Sequence, residues 1–159
     1  MEKKTINTRE YVGLLKQLVE EGETVSMRIV GSSMSPFLIH DRDLITFKAP
    51  EKELKKGDMV FFQRESGQYV MHRIYAVKPD GYYMVGDAQT EIEGPIRREQ
   101  IFAVIIKVRR KDKWMEPGDF WWDFFERVWI NIIHVRKAVV VFYSLVYKLR
   151  GRKLWILLY

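Results

Sequence analysis

The stretch IVGSSMSPFLIHDRDLITF, Ile29 to Phe47, sets a glycine, three serines and a proline between two apolar runs. Both flanking runs alternate in the way of half-buried strands, so Gly31-Ser32-Ser33-Met34-Ser35-Pro36 must be a strand-to-strand connection. Glycine, serine and proline are ordinary turn residues, and a plain loop would use them. The same composition also suits a turn that presents a side chain. Ser33 follows a strand at a turn containing Gly31, which leaves its hydroxyl exposed and its backbone N–H free. Ser32 and Ser35 read as turn residues, and His40 as solvated.

Working outward, residues 7–22 form an amphipathic helix. Asn7 can cap it with Glu10 three residues on, Tyr11, Leu14, Leu15, Leu18 and Val19 make one apolar stripe, and Gly22 stops it. The period then changes. VSMRIV (25–30), DLITFK (43–48), DMVFFQ (58–63), YVMHRIYAV (69–77), YYMVG (82–86) and IFAVIIKV (101–108) read as strands bounded by turns such as Lys56-Gly57-Asp58 and Pro79-Asp80-Gly81. One short helix followed by six strands predicts a mainly β fold, divided as an N-terminal helix over 1–24, a β domain over 25–113 and a basic, aromatic, helical tail over 114–159.

With 47% apolar residues and 14% aromatics, the chain of 159 residues can bury a core and is not disordered. It has no cysteine, which removes disulfides, thiolate nucleophiles and zinc–thiolate sites. His40, His72 and His134 are scattered without metal-ligand spacing, and no GxxxxGK[ST] or GxGxxG string occurs. The net charge of +6 is uneven: residues 1–106 carry 15 Lys/Arg against 16 Asp/Glu, and residues 107–159 carry 12 against 5. A near-neutral stretch over residues 1–106 argues against nucleic acid as a partner. The excess charge sits among the tryptophans, tyrosines and phenylalanines of the tail, a mixture that suits a membrane interface. A spanning helix needs roughly 20 apolar residues, and the longest uncharged run of the tail, Ala138 to Tyr147, falls well short. Residues 120–159 are therefore expected to associate with a membrane, peripherally at its surface or as a C-terminal anchor, and the rival reading is a helical hairpin packed on the sheet or a partner. The opening MEKKTINTREY lacks an apolar signal-peptide core.

A serine nucleophile needs a base in reach and donors for the oxyanion. One strand carries a histidine in mid-alternation, Tyr69-Val70-Met71-His72-Arg73-Ile74-Tyr75. If 69–77 and 82–88 form a hairpin with Val77 opposite Tyr82, regular counting sets His72 opposite Asp87, and opposed residues have Cβ atoms about 4.5–5.5 Å apart. A carboxylate could then hold one imidazole nitrogen while the other faces a serine. Arg73 is either a surface residue or a partner of Asp87 or Glu93.

Three segments, in order over about residues 25–106, match one family. GSSMSP resembles the Ser-Met-x-Pro box of type I signal peptidases, GDMVFF followed by YVMHRI resembles their Gly-Asp-hydrophobic and base-bearing strands, and VGDAQTEIEG resembles their Gly-Asp-Asn box. The base position holds His72, as in the endoplasmic-reticulum and archaeal type, where housekeeping bacterial enzymes place lysine. LexA-type self-cleaving repressors share the fold and the Gly-x-Ser-Met element. The resemblance implies a signal-peptidase/LexA-like β fold and a serine endopeptidase cleaving signal or leader peptides after small side chains. Ser33 would be the nucleophile, His72 the general base, Asp87 and Glu93 the acidic box, and Ser33 N–H an oxyanion donor. It implies a peptide or preprotein substrate and neither cofactor nor metal. Phe37 stands where threonine commonly follows the proline, Glu93 replaces an aspartate, Ala88-Gln89 replaces an asparagine pair, and the usual N-terminal anchor is not seen. Two alternatives are a LexA-like domain cleaving itself or a partner, and a non-catalytic membrane scaffold of the same fold.

Overall fold

The computed structural model describes residues 8–139 and 141–142. The chain opens with helix α1 (Thr8–Glu20), which buries Val12, Leu15 and Val19 at i, i+3 and i+7. Each such side chain contributes about 1.5–3 kcal/mol on burial. The helix closes with Gly22 N–H on the Val19 carbonyl and Glu23 N–H on that of Leu18, the paired bonds of a Schellman ending.

Eight strands follow: β1 (Val25–Arg28), β2 (Leu44–Lys48), β3 (Met59–Gln63), β4 (Tyr69–Lys78), β5 (Gly81–Val85), β6 (Glu93–Ile96), β7 (Ile101–Arg110) and β8 (Lys113–Met115). They form one antiparallel sheet in the order β1-β2-β7-β3-β4-β5-β6, with β8 turning back along β7. Central β3 is covered on both faces. Met59 and Phe61 enter a large core shared with α1, whereas Val60 and Phe62 enter a second one with Ile74, Met84 and Ile101. This two-sided burial is why MVFFQ reads as a continuous apolar run.

The mainly β class with its short leading helix is as the sequence predicts, and all six expected strands are present within a few residues of their expected ends. Two further strands carry weak signals: β6 contains Gly94 and Pro95, and β8 is three residues long. The division expected at residue 113 is not where the packing ends. After β8, α2 (Phe120–Asp123) runs into a π-helical turn (Phe124–Val128) and a 3₁₀ stretch (Trp129–Val135) kinked at Ile132. Trp122, Phe125 and Trp129 from this segment lie in the large core, and Ile130 and Ile133 pack on Val85. The first part of the expected tail is thus a wall of the body. No helix among the described residues is long and apolar enough to cross a membrane. Asn7, the expected cap, and most of the Ala138–Tyr147 run lie outside the described residues.

Candidate active site

The Ser33 turn is anchored from below. Met34, Phe37 and Leu38 are buried, and Ile29 is tied to the start of β2 by its N–H on the Asp43 carbonyl at 2.8 Å. Gly31 takes φ +95°, a left-handed conformation that only glycine adopts without strain. Its N–H donates to Nδ1 of His40 at 3.1 Å, so His40, though exposed as expected, also fastens the turn. Ser33 is half-buried, and among the described residues no backbone carbonyl accepts its N–H.

His72 stands on β4 opposite Val60 and is 3% exposed. Burial drives the imidazole pKa down, with Glu93 pulling it up and Arg64 pushing it further down, to a value of about 4. The ring is therefore neutral at pH 7, the state a general base requires. Among the described residues its buried Nδ1 has no hydrogen-bond partner, and Glu93 Oε2 lies 4.0 Å away. That gap is longer than a hydrogen bond. Glu93 meanwhile holds Arg64 in a two-pronged pair, Nε to Oε1 at 2.5 Å and Nη2 to Oε2 at 2.6 Å. Arg64 carries no signal in the sequence, because the contact joins residues 29 apart through three strand pairings.

Asp87 does not face His72. Val77 does pair with Tyr82, but the ladder slips one residue between Ile74 and Ala76, so Arg73 pairs with Val85, where it ends. The extra residue is a bulge at Tyr75, which regular counting cannot see. Asp87 instead accepts both prongs of its bond from Arg73 Nε, at 3.0 and 3.1 Å, and both side chains are fully buried. Burial raises the Asp87 pKa, with Arg73 opposing. Arg73 is thus the partner of Asp87, one of the two roles the sequence allowed it. The loop carrying Asp87 reaches Ser33 by another route. Ala88 N–H donates to the Ser33 carbonyl at 2.9 Å, and a Cβ on Gly86 would stand 2.5 Å from that oxygen.

Ser33 and His72 line one cleft of about 410 Å³, walled by apolar Met27, Ile29, Phe61 and Met71. The titratable side chains lining it are His72, Arg64 and Tyr69. Of these, His72 is the group in the neutral, basic form. No group of His, Asp or Glu among the described residues could hold a metal. The model of the Peptidase S24-like family matches residues 2–107. The chain belongs to this family. No curated protein and no solved structure matches it. Membership in the S24-like family carries a LexA/signal-peptidase-like fold and, at family level, serine-peptidase chemistry. The matched span contains Ser33, His72, Asp87 and Glu93 and stops before the end of β7, so the buried helical segment is not part of it.

Proposed function

We propose that this S24-like protein is a serine endopeptidase acting through Ser33 and His72 on signal or leader peptides. The observation that carries this reading is a serine and a neutral, buried histidine lining one cleft that, among the described residues, no lysine lines. In the first step Ser33 Oγ attacks the peptide carbonyl carbon as His72 takes its proton. The C–N bond then breaks, and the amine leaves with the proton that His72 returns. Water, deprotonated by His72, attacks the ester, and Ser33 is restored with its proton. Nδ1 lies toward Glu93, which leaves Nε2 to serve Ser33. A base with pKa near 4 is available but weak, so the Glu93 carboxylate has to stabilise the imidazolium as it forms. Ser33 N–H is the oxyanion donor, and Asp87 supports the site through Arg73 and the loop beside Ser33.

The cleft suits an extended chain. Tyr69 to His72 of β4 lie beyond the end of the β5 ladder and line the cleft, a strand edge on which a peptide can add. The signal-peptidase character rests on the sequence resemblance and on these apolar walls. LexA-like self-cleavage is less well supported, since it would call for lysine as the base. Contact with a lipid surface is the further part of the reading, supported by exposed Phe120, Trp121 and Phe142 and by a C-terminal sequence rich in lysine and arginine.

A fluorophosphonate probe and a panel of leader peptides with small residues before the cleaved bond test the enzyme. Ser33→Ala, His72→Ala and the double variant are expected to lose activity to about the same extent, roughly 10²-fold or more, because nucleophile and base act as a unit. A Ser33→Ala chain that cleaves as fast as its parent would end the serine-peptidase reading and favour a scaffold.

A further inference from the structure

Arg136 is 2% exposed, lies beyond the family match, and its guanidinium donates to backbone carbonyls. Nη1 donates to the carbonyls of Gly86 at 2.8 Å, Gln89 at 2.9 Å and Asp87 at 3.4 Å. Nε and Nη2 donate to the Trp129 carbonyl at 3.1 and 3.0 Å, and the cation lies over the Trp129 ring at 5.4 Å. Trp129 adds its indole N–H to the Asp87 carbonyl at 2.8 Å. The loop from Gly86 to Gln89 is therefore gripped by its carbonyls from the helical segment. The same loop holds Ser33 by Ala88 N–H and by the close approach of Gly86 to the Ser33 carbonyl.

Burying a guanidinium is costly unless its N–H groups are satisfied, and here they are satisfied by one short loop and the carbonyl of Trp129. We propose that Arg136 and Trp129 are positioning residues for Ser33, acting through the 86–89 loop, so that the C-terminal helical segment sets the reactivity of a site it does not touch. The inference rests on Ser33 being the nucleophile. The Ser33 carbonyl belongs to the peptide plane that follows its Cα. Rotating that plane changes ψ of Ser33 and turns Oγ and the N–H relative to His72. Misplacement by about 1 Å can lower a rate about 10²-fold.

The test uses the full chain with Arg136→Gln, Arg136→Lys and Trp129→Phe, which removes the indole N–H and keeps a ring. Ile133→Val, which loosens the same segment without touching the loop carbonyls, is the packing control. Two quantities are read: amide exchange of Ala88 by NMR, and the rate and affinity of Ser33 labelling by the fluorophosphonate. Arg136→Gln and Trp129→Phe should speed Ala88 exchange and slow maximal labelling by about 10- to 100-fold, with little change in probe affinity. Arg136→Lys should fall between them and the parent, and Ile133→Val should alter neither beyond its loss of stability. Parental labelling with a protected Ala88 amide in the folded Trp129→Phe or Arg136→Gln chain overturns the proposal. So does an equal loss in Ile133→Val, which would make the role one of packing alone. A parent that does not label Ser33 at all defeats the peptidase reading instead, and Ala88 exchange still decides whether the segment grips the loop.

Discussion

The imidazole of His72 is held neutral by burial and by the Arg64 cation, with Glu93 opposing. Its folded pKa of about 4 lies below the unfolded value near 6.5. The unfolded chain therefore binds more protons between these values, and stability rises with pH across that window. The contribution is present in full above about 6.5 and is lost as pH falls through the folded value, on the order of 3 kcal/mol in all. Activity that needs a neutral base should likewise persist to about pH 4 rather than fail near the free imidazole value. Arg64→Met removes the opposing cation and frees Glu93 toward Nδ1, so the folded pKa should rise. The acid limb of the kcat/KM profile is then expected to move upward, toward pH 6.5, with a smaller loss of stability between pH 7 and pH 4.5. An acid limb unmoved in Arg64→Met would mean that Arg64 does not tune the base. Ser33 and His72 stand out in the sequence as candidates because each lies in a short string whose neighbours are local. Arg64 was not, because its place beside Glu93 exists only once β3 to β6 are assembled.

Strands were readable from alternation, but register was not. Tyr75 adds one residue to β4 and rotates the counting that would have set His72 against Asp87. What the bulge produces is a buried ion pair joining three elements: β4 through Arg73, the loop after β5 through Asp87, and the turn before β3 through Arg73 Nη1 on the Gly57 carbonyl at 3.1 Å. Removing one member of such a pair leaves an uncompensated buried charge, a loss of about 3–5 kcal/mol. Asp87→Ala is therefore expected to lower the midpoint of urea unfolding strongly. Glu93→Ala, whose pair with Arg64 is about a third exposed, should change stability by less than about 1 kcal/mol while slowing catalysis. A stable Asp87→Ala chain in the same titration would show that Arg73 finds other compensation. The two carboxylates of the acidic box thus separate by readout, one on stability and one on rate.

Across the whole molecule, the composition shift after Arg110 was legible and its meaning was not. A segment rich in tryptophan, phenylalanine, isoleucine and arginine can seek a lipid interface or pack on a sheet, and periodicity is the same for both. Here one face of residues 120–136 is taken by the body, since Trp122, Phe125, Trp129, Ile130 and Ile133 are buried, and Phe120 and Trp121 stay outward. At about 1.5–3 kcal/mol each, five such side chains contribute on the order of 7–15 kcal/mol, comparable with the entire stability of an ordinary domain. A chain ended at Lys113 is therefore expected to lose cooperative thermal unfolding and to expose the Phe37 and Val85 surfaces, so truncation is the wrong instrument for asking about membranes. The full chain carrying Phe120→Ser and Trp121→Ser keeps the buried face and removes only the outward one. It should hold the parental Tm within a few degrees and sediment less with anionic vesicles than the parent does. A folded, cooperative 1–113 chain would show that the segment is an appendage. A parent that stays in the supernatant with such vesicles would leave its outward aromatics without a lipid role.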